Sequence, residues 1–263
     1  MRRLLVILIL FNCLQAFTQS YRTIQNTAFV RGEKLTYRIA FNSSITGNIT
    51  AGKGSIEVKK ENKLINNRST YHVVGEGWTT GLIELFYKVR DRYESYFDQE
   101  ALIAWQFIRY TRENTYQKDD LVNFRQNDRL AVSLRKIMPV PPNVQDVISA
   151  IYYARTLDIT GLKPGSTFEI PFFLDDSVYH SQVIYKGKET IKTKLGRFRC
   201  MAFQPMVATG YAFDNPYPIT VWITDDLNRL PVRIDSEQVV GRGRAELTSY
   251  SGLANPITAK LPD

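Results

Sequence analysis

Lys34-Leu35-Thr36-Tyr37-Arg38-Ile39-Ala40-Phe41 is the stretch that decides the fold. Leu35, Tyr37, Ile39 and Phe41 fall on one side of an extended chain, and Lys34, Thr36, Arg38 and Ala40 on the other. A two-residue period of this kind marks a half-buried strand. The pattern recurs along the chain. Ile56 and Val58 alternate with Ser55, Glu57 and Lys59; Ile103, Trp105 and Phe107 with smaller or polar neighbours; Ile219, Val221 and Ile223 with Thr220, Trp222 and Thr224. Val232 and Ile234 flank Arg233. Strand rules count about 12 to 16 such runs.

Turn residues separate them. Gly47-Asn48, Gly52-Lys53-Gly54, Asn66-Asn67, Asp98-Gln99-Glu100, Asp119-Asp120, Asn127-Asp128, Asp175-Asp176 and Asp225-Asp226-Leu227-Asn228 all read as turns. Glycine tolerates positive φ, and Asn and Asp bond their own backbone. Strand and turn at short spacing predict an all-β antiparallel meander rather than βαβ units. A sheet of this size must curl into a barrel or split into two layers to manage its edges.

One segment breaks the alternation. Met138-Pro139-Val140-Pro141-Pro142 is a stiff connector, and Asn143 then stands where a helix N-cap would, with Asp146 near the positive helix end. Val147, Ile151 and Ala154 keep helical spacing until Gly161 and Pro164. These signals predict one helix over about residues 144–158, covering an open part of the sheet. Asp146, Ser149 and Tyr153 are expected to share a face, beside Tyr152 and Arg155. The helix divides the chain into β halves at 21–137 and 165–255.

The N-terminus sets the compartment. Arg2 and Arg3 precede the apolar run Leu4–Leu10, the arrangement of a secretory signal, with cleavage expected between Ala16 and Tyr21. The run is too short for a membrane span. Residues 1–20 are read as the signal and 21–263 as a single β-rich domain, exported to the periplasm or cell envelope. Cys13 offers lipoprotein anchoring instead, but Asn12 fits the position before a lipidated cysteine poorly. After cleavage only Cys200 remains, so no internal disulfide is expected and stability must come from the core. An exported chain also lacks a ready supply of ATP or NAD.

The formal net charge is +8, or about +6 without Arg2 and Arg3. Basic residues are scattered; Arg242 and Arg244 alternate with glycine. The pattern reads as a solvated sheet face, with weak attraction to anionic lipid or polysaccharide as the sharper reading. It does not point to nucleic acid.

Four pieces together resemble the exported bacterial domain of unknown function 3108 family. Gly32-Glu33-Lys34-Leu35-Thr36-Tyr37 resembles its opening strand. Asp146-Val147-Ile148-Ser149-Ala150-Ile151-Tyr152-Tyr153-Ala154-Arg155 resembles its helix. Gly187-Lys188-Glu189 with Leu195-Gly196-Arg197-Phe198, and Trp222-Ile223-Thr224-Asp225-Asp226 with Arg229-Leu230-Pro231-Val232, resemble its later strands. The resemblance implies an all-β envelope protein related in shape to proteins encoded with surface-polysaccharide export systems, and it carries no catalytic residues.

The residues of these motifs read as structural. Gly32, Glu33 and Tyr37 open a strand, with Glu33 an inward charge suited to an arginine. Asp146 and Ser149 belong to the helix start. Asp225, Asp226, Arg229 and Pro231 build a tight connection in which Arg229 can pair with an aspartate. Enzyme signatures are missing: His72 and His180 have no metal-ligand spacing, and there is no Gly-x-Ser-x-Gly elbow or phosphate loop. The sequence therefore favours a non-catalytic protein without cofactor or metal. The candidate ligand contacts are Tyr152, Arg155, Tyr211, Phe213, Tyr217 and Trp222, with the aromatic 210–217 stretch as a binding lip. The leading expectation is an envelope protein binding an amphiphilic or glycan ligand. A structural or assembly partner of an envelope or polysaccharide-export system is the alternative. A cell-wall glycan hydrolase would require Glu33, Asp91, Asp146, Asp225 or Asp226 to converge on one cleft.

Overall fold

The computed structural model describes residues 21–43, 47–207, 214–239 and 241–262. The signal segment, Cys13, Tyr211 and Phe213 lie outside the described residues. The chain folds as β1 (Lys34–Ser43), β2 (Gly47–Val58), β3 (Leu64–Ile65), β4 (Arg68–Thr79), α1 (Leu82–Phe86), β5 (Arg90–Asp98), β6 (Ala104–Glu113), β7 (Tyr116–Arg125), β8 (Leu130–Ser133) and β9 (Ile137–Pro139). It continues with α2 (Val147–Ala154), β10 (Thr167–Leu174), β11 (Ser177–Thr193), β12 (Gly196–Pro205), β13 (Ile219–Thr224), β14 (Pro231–Gln238) and β15 (Gly241–Ser251).

The strands form one antiparallel sheet in the order β10-β11-β12-β13-β14-β15-β1-β2-β4-β5-β6-β7-β8-β9, with β3 pairing β4. The first strand thus lies in the middle of the sheet, where it pairs with the last. The two halves that flank the helix in sequence join through the β1–β15 ladder, where Leu35 lies opposite Tyr250 and Ile39 opposite Ala245. The sheet's two edges, β9 and β10, are therefore the strands that the helical segment connects.

Among the described residues, no continuous ladder closes those edges. Side chains and one isolated bridge draw them together. Gln145, just before α2, makes a parallel bridge to Phe172 on β10. Phe173 packs with Phe107, Val122 and Phe124 from the far side of the sheet. The Asp175-Asp176 turn after β10 meets a buried cation: Arg109 bonds both Asp120 and Asp175. Arg135 completes the link, 2.6 Å from Asp120 and 2.7 Å from Asp176. The curl brings apolar faces together as in a barrel, and ion pairs substitute for the missing ladder.

Several sequence expectations are corrected. The helix is shorter than 144–158, and its N-cap is Asp146 rather than Asn143, which has φ 59°. Asp146 accepts from the Ile148 and Ser149 amides at 2.8 Å each, and Ser149 Oγ accepts from the Asp146 amide at 2.9 Å. This reciprocal capping satisfies donors that a helix start leaves open. The inward face carries Ile148, Ser149 and Tyr152; Tyr153 is only half-buried. Gly52-Lys53-Gly54 lies inside β2, and Asp119-Asp120 inside β7. Gly52 serves close approach rather than a turn, since a Cβ there would come 2.3 Å from the Trp78 carbonyl oxygen. Asp120 is buried because it answers Arg109 directly across the β6–β7 ladder. The turn between those strands uses Asn114, with φ 52°. The pairs at 66–67 and 175–176 do turn, with positive φ at all four residues.

Candidate functional site

The interior divides into a packed end and an open trough. At the packed end, Phe29, Tyr71, Phe97 and Tyr152 interlock edge-on or tilted, with Phe29 4.7 Å from Tyr152 and 5.0 Å from Tyr71. Offset and edge-to-face contacts of this kind suit the ring quadrupoles. Glu33 and Arg155 lie against this cluster, wholly inside the protein.

Arg155 ties four segments. It donates to both Glu33 oxygens at 2.6 and 2.7 Å, to the Ala28 carbonyl at 3.2 Å and to the Asn228 carbonyl at 2.9 Å. The β13–β14 turn answers: Arg229 donates to the carbonyls of Arg155, at 3.1 Å, and Leu157. Arg229 therefore holds the end of the helix rather than an aspartate. Burial opposes the Arg155 charge, but Glu33 outweighs it and raises the guanidinium pKa. Burial likewise raises the Tyr37 and Tyr152 hydroxyls; Tyr37 donates to the Pro231 carbonyl at 2.9 Å.

The other motif pieces also meet. Lys188 pairs with Asp225 at 2.8 Å, and the Trp222 indole donates to Glu189. Asp226 accepts from Thr224 Oγ1 at 2.7 Å and from the amides of Asn228, Arg229 and Ala259. Burial raises the Asp146 carboxyl to about 6, against the pull of its bonds from Ser95, Ser149 and Ile148. Burial also raises the Cys200 thiol to about 12, which keeps it out of nucleophilic chemistry at neutral pH. The five carboxylates weighed for glycan hydrolysis do not share a cleft. Glu33 is spent on Arg155, Asp146 on the helix cap, Asp225 on Lys188 and Asp226 on its turn. Only Asp91 faces the trough.

The trough runs along both flanks of α2. On one side Ala150, Ala154, Phe168, Ile170, Val183, Phe203 and Val221 wall a cavity of about 360 Å³. On the other, Leu35, Tyr37, Ile39, Ile56, Tyr93 and Ile234 wall one of about 370 Å³. Val147, Ile151, Arg155 and Pro231 border both. Ile151 is 46% exposed although the helix otherwise turns apolar residues inward, because it stands at the junction of the two cavities. Beyond Gly77 and Asp91, which edge the second cavity, the β4–β5 connection presents Leu82, Leu85 and Phe86 to solvent.

The expected ligand contacts separate. Tyr152 and Arg155 border the trough, but they are 1% and 3% exposed and their polar atoms are engaged by Glu33 and main-chain carbonyls. Trp222 points to the sheet face opposite Val221 and Ile223, which wall the trough. Tyr217 is half-buried, with its hydroxyl donating to Gln182 at 2.7 Å. On β10, Phe173 is buried and Phe172 stacks on Tyr179. The walls that sequence reading missed are Phe168, Ile170, Val183 and Phe203. Their alternation shows that they face inward, but not whether anything packs against them. His72 and His180 pair with Glu94 and Glu169. Among the described residues, no group of three or more His, Cys, Asp or Glu could hold a metal ion, and no helix is long and apolar enough to cross a membrane.

The profile of the protein of unknown function family DUF3108 matches residues 36–248, from the first strand of the sheet to the last. The chain belongs to the DUF3108 family. Among solved structures, a beta-barrel-like protein of domain of unknown function DUF1849 from Brucella abortus superposes with a TM-score of 0.58 at 9% identity, over 88% of this chain and 99% of that one. A "putative lipoprotein" from Parabacteroides distasonis aligns with a TM-score of 0.38 at 11% identity, over 89% and 100%. No curated protein matches the chain. The Brucella structure shares the fold, so this DUF3108 chain has an open, barrel-like antiparallel sheet.

Proposed function

We propose that this DUF3108 protein is an exported, non-catalytic envelope protein that holds the apolar part of an amphiphile in the trough beside α2. The observation that supports the reading is the pair of adjoining apolar cavities meeting at Ile151. Each falls in the range of about 300–1,000 Å³ usual for small-molecule sites. Their walls are aliphatic and aromatic, and the polar groups at their border are already paired, which suits a chain rather than a polar substrate. Export rests on Arg2, Arg3 and the apolar run Leu4–Leu10. Native mass spectrometry of protein extracted from envelopes tests it. Adducts of lipid mass, lost on solvent extraction, are expected; a clean mass of the protein alone from several preparations refutes the reading.

A further inference from the structure

A third cavity, of about 370 Å³, lies on the opposite face of the same wall. Ile39, Ile234 and Ala245 line the trough. Their neighbours Arg38, Arg233 and Arg244 line the other cavity, as does Arg242. Strand alternation separates the two sets by the thickness of the sheet.

Register assembles this cleft. Glu246 on β15 stands opposite Arg38 on β1 and Arg233 on β14; Arg244 stands opposite Asp235, and Arg242 opposite Glu237. Directly opposed residues share a face. Four guanidinium groups thus meet three carboxylates, leaving one positive charge in excess. The pairing is uneven. Asp235 takes two guanidiniums, Arg233 with its Nε at 2.9 Å and Arg244 with its Nε at 2.8 Å. Arg242 reaches only Glu237, at 3.4 Å, and both are largely exposed. Arg38 stands 3.6 Å from Glu246, and Arg38 Nε and Glu246 Oε1 are both buried without a hydrogen-bond partner. A buried charged donor without an acceptor is costly, and the outer part of the Arg38 side chain, 31% exposed, lines the cleft.

We propose that this cleft binds an anionic saccharide, its phosphate or carboxylate held by Arg38 and Arg242 and its hydroxyls by the neighbouring carboxylates. Guanidinium forks match both anions in two-pronged geometry. Asp235 and Glu237, which line the cleft, supply acceptors that a simple anion would not need. The glycine that separates Arg242 from Arg244 answers packing, since a Cβ at Gly243 would come 2.8 Å from Ser236 Oγ.

Calorimetric titration of the full mature chain with glucose 1-phosphate, glucuronate, glucose and inorganic phosphate tests the proposal. At least one anionic sugar is expected to bind, more tightly than inorganic phosphate, with glucose inert. The tighter of glucose 1-phosphate and glucuronate identifies which anion the cleft takes. Arg242→Gln and Arg38→Gln are each expected to weaken that binding at least tenfold. Arg242 is exposed enough that its variant keeps the fold, and Ala150→Trp, which changes only the trough, should leave sugar binding intact. Absence of binding by both anionic sugars, inorganic phosphate binding as tightly as the better of them, or undiminished binding in both arginine variants overturns the proposal, whatever the outcome for lipid in the trough.

Discussion

Glu33 and Arg155, 122 positions apart in sequence, form a two-pronged ion pair at 2.6 and 2.7 Å in the protein interior. The pair joins the residue before the central strand to the residue that ends the only buried helix among the described residues. Its desolvation is offset only because every acceptor in reach is used. Removing one partner strands the other charge, at a cost of about 3–5 kcal/mol. Glu33→Gln is therefore expected to lose that much stability in urea unfolding. Glu33→Gln combined with Arg155→Met should lose clearly less than the sum of the single changes. Additive losses would show that the two residues act independently.

The all-β meander was legible because alternation depends only on which face is wet, and β1, β2, β6 and β13 each carry it. The Asp146–Arg155 stretch was legible as a helix because its apolar spacing is local. The edge-to-edge arrangement was not, since nothing local tells Asp120 that it will meet Arg109 and not solvent. The same limit explains Gly52: whether a glycine turns the chain or lets another strand approach depends on Trp78, 26 positions away. The trough was least legible. A phenylalanine that lines a cavity and one that fills a core have the same alternation, and Phe168 and Phe173 differ only in what stands opposite.

Asp146 predicts an unusual pH dependence. Its folded-state pKa is about 6 against an ordinary 3.8, so the folded protein keeps the proton to higher pH than the unfolded chain. The group's contribution is thus complete below about pH 4 and is lost as pH rises through about 6, a change on the order of 3 kcal/mol. Asp146→Asn keeps an acceptor for the helix amides but does not titrate. The stability of wild type minus that of the variant should fall between pH 4 and pH 7, read by urea unfolding at both. Other carboxylates contribute equally to both proteins and cancel. A pH-independent difference would exclude the proposed titration.

Gly52 and Gly77 offer a matched pair on adjacent strands. A Cβ at Gly52 would press on the Trp78 carbonyl at 2.3 Å, whereas one at Gly77 meets nothing within 4 Å. Forcing β2 and β4 apart should cost about 1–3 kcal/mol, the usual range for overpacking. Gly52→Ala is expected to lower the thermal midpoint by several degrees, with Gly77→Ala near wild type. Equal shifts in the two variants would mean that close strand approach is not what Gly52 supplies.

The trough can be tested by filling it. Ala150 projects from α2 into the space walled by Phe168, Ile170, Val183 and Phe203. Because no described side chain fills that space, a larger residue can enter it without displacing the packed end around Phe29 and Tyr152. Ala150→Trp is therefore expected to unfold within a few degrees of wild type, while its affinity for a fluorescent fatty acid falls at least tenfold. Val183→Asp should weaken the same probe by placing a charge against the chain without filling the space. The two substitutions fail by different routes, one by occupancy and one by desolvation. Their agreement would place the chain beside α2. If both variants bound the probe as wild type does, while wild type bound it well, the apolar site would have to lie elsewhere, and the exposed Leu82, Leu85 and Phe86 would be the next residues to change.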